Sequence, residues 1–178
     1  METRSATREV SWRDLASCLG LLLLVKGAFI LSLADVFFYG EELEKGAAAK
    51  AMLDGLAVAH HQLAYHYYEG GGFVISHLKA LTFMVLGENL AAQKLAGLIT
   101  CLAVFCAGWR LVAWHFGGGA ARIFALLFIF APMSVQKLVL LSLGIHFEAM
   151  LFGLLVLDGT LRLVARDPAA GRPRALLL

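Results

Sequence analysis

Charge is what this sequence has least of. Only 16% of its 178 residues are Asp, Glu, Lys or Arg, 60% are hydrophobic, and the mean hydropathy is +0.78. Soluble domains sit near about 45–50% apolar. A chain this apolar cannot hide its surface in one soluble core, which excludes an ordinary soluble domain and points to an all-α, polytopic membrane protein. A formal net charge of +2 says little by itself, the placement of the charges says more, and nucleic acid is not an expected partner. Cysteine is scarce too. Cys18, Cys101 and Cys106 all lie inside apolar runs, with no CxxC and no Cys/His cluster. They read as small core residues, and neither a metal nor a protein-bound cofactor is expected. A cleavable leader is also missing from the pattern. The apolar run 15–38, about 24 residues and ~36 Å as a helix, is too long for a signal core and lacks a convincing cleavage site. It reads as a retained first span.

Four segments are long enough to cross a ~30 Å hydrocarbon layer: about 15–38, 89–114, 120–141 and 147–165. A fifth, GFVISHLKALTFMVLG at 72–87, is about 16 residues long and carries His77 and Lys79. That is short for a span and fits a helix along the interface or a re-entrant piece. Charge placement favours the interfacial reading. With four crossings, both termini share one side, and that side collects every arginine: Arg4, Arg8, Arg13, Arg110, Arg122, Arg162, Arg166, Arg172 and Arg174. The other side takes Glu41, Glu42, Glu44, Asp54, Glu69, Glu88 and Glu148. The positive-inside rule makes the arginine side cytoplasmic in an inner (plasma) membrane. The expected organisation is an N-terminal tail (1–14), a bundle (15–166) with an external loop (39–88), and a basic tail (167–178).

The external loop holds two amphipathic pieces. In 41–54, Leu43, Ala47 and Ala51, with Ala48 and Met52 offset, form an apolar stripe at helical spacing. Glu41–Lys45 and Lys50–Asp54 are i,i+4 pairs on the wet side, and Gly55 is a plausible stop. HHQLAYHYYEGGG follows, then the 72–87 piece.

Three carboxylates, Glu41, Glu42 and Glu44, appear within six residues of the end of the first apolar run. A carboxylate at the membrane mouth is partly desolvated and more basic, which suits a general base acting on a lipid-linked substrate. The same residues also serve a helix start, by facing the positive end of its dipole and keeping the loop wet. His146 and Glu148 open the fourth span at the same level, as candidate substrate-orienting groups or as an interfacial pair that snorkels to water. Asp35 is a third carboxylate at this level. Lys79 and Lys94 are external cations, suited to a phosphate leaving group or to lipid headgroups. Lys26 and Asp158 are the deeper ionisable residues and a candidate intramembrane pair. His60, His61 and His66 fit no common metal motif and resemble an interfacial belt. Gly70–Gly72 suits either an anion-wrapping loop or a hinge. Gly117–Gly119 reads as a tight turn, and Pro132 as an end or kink in the third span.

The order of features has a family likeness: a first span, an acidic pair, AKAMLDG, a Tyr-rich break at Tyr65–Tyr68, then FMVLGENLAAQKLAGL and a basic turn. It resembles membrane glycosyltransferases of the GT-C class. The closest likeness is to dolichyl-phosphate-mannose protein mannosyltransferases and the bacterial aminoarabinose transferase acting on lipid A. In that family the acidic pair usually reads Asp-Glu, with the Asp as proposed base, so the resemblance assigns catalysis to Glu41 or Glu42. Lys94 stands where the family usually carries Arg, and Glu148 falls near a second acidic position. EGGG replaces a frequent proline-rich turn. The resemblance implies a polyprenyl-phosphate sugar as donor substrate, with Asp35, Lys79, Lys94, His146 and Glu148 as substrate-binding residues. Such enzymes generally have more spans, so the chain is expected to be the N-terminal part of one or a reduced homologue. Membrane lipids, missing C-terminal spans or a membrane-protein partner would complete it. The competing classes are a non-catalytic scaffold or docking subunit and a small transporter half. The sequence places more polar residues at the external level than at the midplane, which favours the enzyme over the transporter.

Overall fold

The computed structural model describes residues 11–36, 40–59, 72–141 and 145–166, the side chains of 140, 145, 165 and 166 excepted. His60, His61, His66, Tyr65–Tyr68, Gly70, Gly71, Arg4, Arg8, Arg172 and Arg174 lie outside the described residues. The described residues are all-helical: α1 (Trp12–Ser32), α2 (Gly40–Leu53), α3 (Phe73–Leu86), α4 (Leu90–Ile129), α5 (Met133–Leu141) and α6 (Ile145–Arg166).

Local chemistry sets the boundaries. Ser11 Oγ accepts the Arg13 N–H at 3.2 Å to start α1, with Asp14 in its first turn. Asn89 joins α3 to α4 from both sides. Its Oδ1 accepts the Ala92 N–H at 2.9 Å, while its Nδ2 donates to Leu86 O at 2.9 Å and Gly87 O at 3.2 Å. Gly87 makes the corner at φ 79°, where a side chain would be strained.

α4 is a hairpin of helix rather than one rod. Gly117 breaks the helical geometry at φ 83°, ψ 174°. Across the break Phe105 stacks on Phe124 with ring centroids 6.0 Å apart, and Phe105 meets Phe128 at 5.6 Å. Gly108 leaves the room: a Cβ there would sit 2.6 Å from Phe124 Cζ. The two arms, 90–116 and 118–129, therefore run antiparallel, with the reversal at the expected glycine turn.

The second arm ends at Phe130, and Pro132 bars its continuation. Gln136 of α5 repairs the break. Its Nε2 donates to Ile129 O and Ala131 O, both at 2.9 Å. Lys26 of α1 adds its own hydrogen bond to Ile129 O at 3.3 Å and another to Gln136 Oε1. The candidate Lys26–Asp158 pair does not form: Lys26 is occupied by freed carbonyl and amide oxygens, and Asp158 by arginines.

Four columns that alternate in direction along the chain result: α1, the first arm of α4, the second arm with α5, and α6. Asp14 meets Arg122 at one end of the bundle and Val36 meets Lys94 at the other. Between them lie two apolar clusters, one built around Ile30, Cys101, Val139 and Phe147, the other around Leu22, Phe105, Trp109 and Ala125. Among the described residues, two helices, α1 and α4, are long and apolar enough to cross a membrane. α6 is long enough, at 22 residues, but carries Glu148, Asp158 and Arg162. α3 has only 14 residues. Large apolar side chains such as Leu24, Leu31, Leu127, Val156 and Val85 face outward.

α2 packs on α3, and α3 on the first arm of α4. The buried face of α2 is not the expected alanine stripe. Leu43 points outward, and Glu42, Lys45, Gly46 and Ala49 point in. Gly46 decides this, because a Cβ there would come within 2.7 Å of Gln93 Nε2. Close approach outweighs apolar area on this face, and the inward charges find partners.

Candidate functional site

The inward face of α2 meets lysines from α3 and α4, and a carboxylate of α6 lies close enough to the first of these to act on its charge. Glu42 of α2, Lys79 of α3 and Lys94 of α4 have no solvent exposure, and Glu148 of α6 is 7% exposed. Buried charges persist only when paired and hydrogen-bonded. Lys94 Nζ lies 3.2 Å from Glu42 Oε1 and donates to Val36 O at 2.9 Å. It thus staples the exit of α1 to the first turn of α2. Lys79 Nζ donates to Glu42 O at 3.0 Å and to Gln93 Oε1 at 3.4 Å.

Burial pushes the Lys79 ammonium down from 10.5 to about 8. The Glu42 charge opposes the shift, Lys45 and Lys94 reinforce it, and Glu148 is close enough to oppose it too. Lys79 is therefore a cation poised near neutrality. Three buried oxygens at this end have no hydrogen-bond partner among the described residues: Glu42 Oε2, Ser76 Oγ and Glu148 Oε1. Buried polar atoms are rarely left so in proteins, which makes these the open positions of the site.

Of the sequence candidates, Glu42, Lys79, Lys94 and Glu148 come together in this buried group. Glu41 is half-buried on the first turn of α2, while Asp35 and His146 are exposed and not enclosed with the group. Lys79 and Lys94 do not snorkel; both are enclosed. Ser76 and Gln93 are buried here without having been sequence candidates, and Lys45, expected on the wet side of α2 opposite Glu41, is instead enclosed, because close packing at Gly46 turns this face inward. For Ser76 a signal existed, since it sits three residues before Lys79 on the same helical face. No cluster of three or more His, Cys, Asp or Glu side chains suited to a metal occurs among the described residues.

Chemically, the group offers an open carboxylate oxygen on Glu42, a second on Glu148, and a lysine that feels the charge of both and can hold or release a proton. Comparisons with known protein families, curated proteins and solved structures find no match.

Proposed function

We propose that the chain is all or the N-terminal part of a membrane glycosyltransferase that uses a polyprenyl-phosphate sugar at the external membrane face. One observation carries the reading: Glu42, Lys79, Lys94 and Glu148 converge from four helices at one end of the bundle, with open oxygens on both glutamates. The family likeness of the surrounding sequence supports it. In this reading the four columns are four spans, α2 and α3 lie along the outer interface, and the arginine-rich end is cytoplasmic in the inner membrane.

The reaction is a displacement at the anomeric carbon. Glu42 takes the proton of the acceptor hydroxyl on Oε2, with Glu41 as the neighbouring carboxylate. The acceptor oxygen bonds the anomeric carbon as the bond to the lipid phosphate breaks. The electron pair leaves with the phosphate, whose growing charge Lys79 and Lys94 offset. Glu148, and from the exposed rim Asp35 and His146, orient the sugar. Because Glu42, Lys79 and Lys94 are enclosed, a donor reaches them only when α2 and α3 part.

That enclosure also favours a second reading, a non-catalytic membrane scaffold or docking subunit in which the same charges only latch α2 and α3 onto the bundle. Binding separates the two. Protein reconstituted in vesicles should retain a polyprenyl-phosphate sugar over the neutral polyprenol, and Lys79→Met should cut that retention by roughly tenfold, as expected for one charge-assisted contact. Equal retention of phosphate and alcohol, or no loss in Lys79→Met, would leave only the latch.

A further inference from the structure

The opposite end of the bundle carries a second polar assembly that the transferase chemistry does not use. Asp158 of α6 is 5% exposed and is held by two arginines. Arg110 donates Nη2–H to its Oδ2 at 2.6 Å, and Arg162 donates Nε–H to its Oδ1 at 3.0 Å. One carboxylate thereby fixes two guanidiniums, each of which has five N–H donors. Arg162 also lies over the Trp114 ring, 4.7 Å from its centroid. Locally this is two positive charges against one negative.

A slot of about 230 Å³ runs from this group along the seam between the first arm of α4 and α6. Ala103, Cys106 and Ala107 form one wall, and Leu151, Leu154 and Leu155 the other. Both rows follow i, i+3, i+4 spacing, and the next residue in each row is the charged one, Arg110 or Asp158. The slot is thus apolar along its length and cationic at its mouth, with a tryptophan at the level of the charges. Tryptophan favours the depth of lipid headgroups.

We propose that this is a site for one anionic phospholipid. Its phosphate sits on Arg110 and Arg162, and the headgroup-proximal part of one acyl chain lies in the slot. The surplus positive charge matches a phosphodiester whose headgroup adds no cation. A partner helix is a poorer fit, because packed helices need about 8–10 Å between axes, and α4 and α6 already pack against each other here. The proposal rests on the membrane placement given above, not on the transferase chemistry.

The test uses the full chain purified in detergent and loaded with phosphatidylglycerol or phosphatidylcholine, with bound lipid counted by native mass spectrometry. Phosphatidylglycerol should be retained roughly tenfold better, the scale of one charge-assisted contact. Arg110→Ala, which leaves Asp158 its bond to Arg162, should abolish the preference. Ala107→Leu, which fills the slot, should reduce retention of both lipids. Inorganic phosphate alone should give no thermal protection. Equal retention of the two lipids, full retention in both variants, protection by phosphate alone, or a dimer that excludes lipid would each overturn the site. Lys79→Met should leave lipid retention unchanged while losing donor retention, so the two proposals stand or fall separately.

Discussion

Glu42 and Lys94 are the residue pair on which the α2–α3 end depends. Both are fully enclosed and 3.2 Å apart, and removing one partner of such a pair strands the other charge at a cost of about 3–5 kcal/mol. Glu42→Gln should therefore lower the thermal midpoint in detergent strongly, and adding Lys94→Met should recover much of the loss. A double variant no more stable than Glu42→Gln would show that the pair is not the determinant. Lys79 predicts a pH dependence. Its folded value of about 8 lies below its ordinary 10.5, so the unfolded chain binds the extra proton between these values. Stability should rise from about pH 8 to 10.5 by about 3 kcal/mol and lie at its lower plateau below pH 8. Donor retention should run the other way and weaken as pH climbs through about 8, because the phosphate needs the cation. Lys79→Met should flatten both profiles; an unchanged stability profile would place the titration elsewhere. The sequence made Glu42, Lys94 and Glu148 legible because the ends of long apolar runs bring charges to one level. It did not make Gln93, Lys45 or Gln136 legible, since which face a helix buries depends on the neighbour it meets.

At the scale of elements, apolar run lengths located the helices well, because a helix that must bury most of its surface needs a long apolar stretch. What periodicity could not give was the face of α2. Ala47, Ala48 and Ala51 looked like an inward stripe, but Gly46 lies against Gln93 and turns Glu42 and Lys45 inward instead. The α4 hairpin is the sharper test of local rules. Gly117 sits at φ 83°, whereas Gly119 is exposed and has open space where a Cβ would go. Gly117→Ala should cost about 1–2 kcal/mol, and Gly119→Ala should be neutral or slightly stabilising. Equal melting of the two variants would mean the reversal does not depend on the left-handed residue. The break at Pro132 was legible from the proline alone. Its repair by Gln136 and Lys26 was not, because Lys26 lies 103 residues from the carbonyl it caps.

For the whole molecule, the alternating columns put one kind of chemistry at each end: an enclosed acid–lysine group under α2 and α3, and an arginine–aspartate group with its apolar slot beside α6. Both the transferase site and the lipid site need those ends to lie on opposite faces of a membrane, with α3 on the surface of one of them. Single cysteines in a variant lacking Cys18, Cys101 and Cys106 test this in intact cells. The exposed positions Leu56 before α3, Glu88 after it, and Gly119 at the hairpin turn are the informative sites. A membrane-impermeant maleimide should label Leu56→Cys and Glu88→Cys from outside, and Gly119→Cys only after permeabilisation. Labelling of Leu56→Cys and Glu88→Cys from opposite faces, or of all three from the same face, would contradict the account.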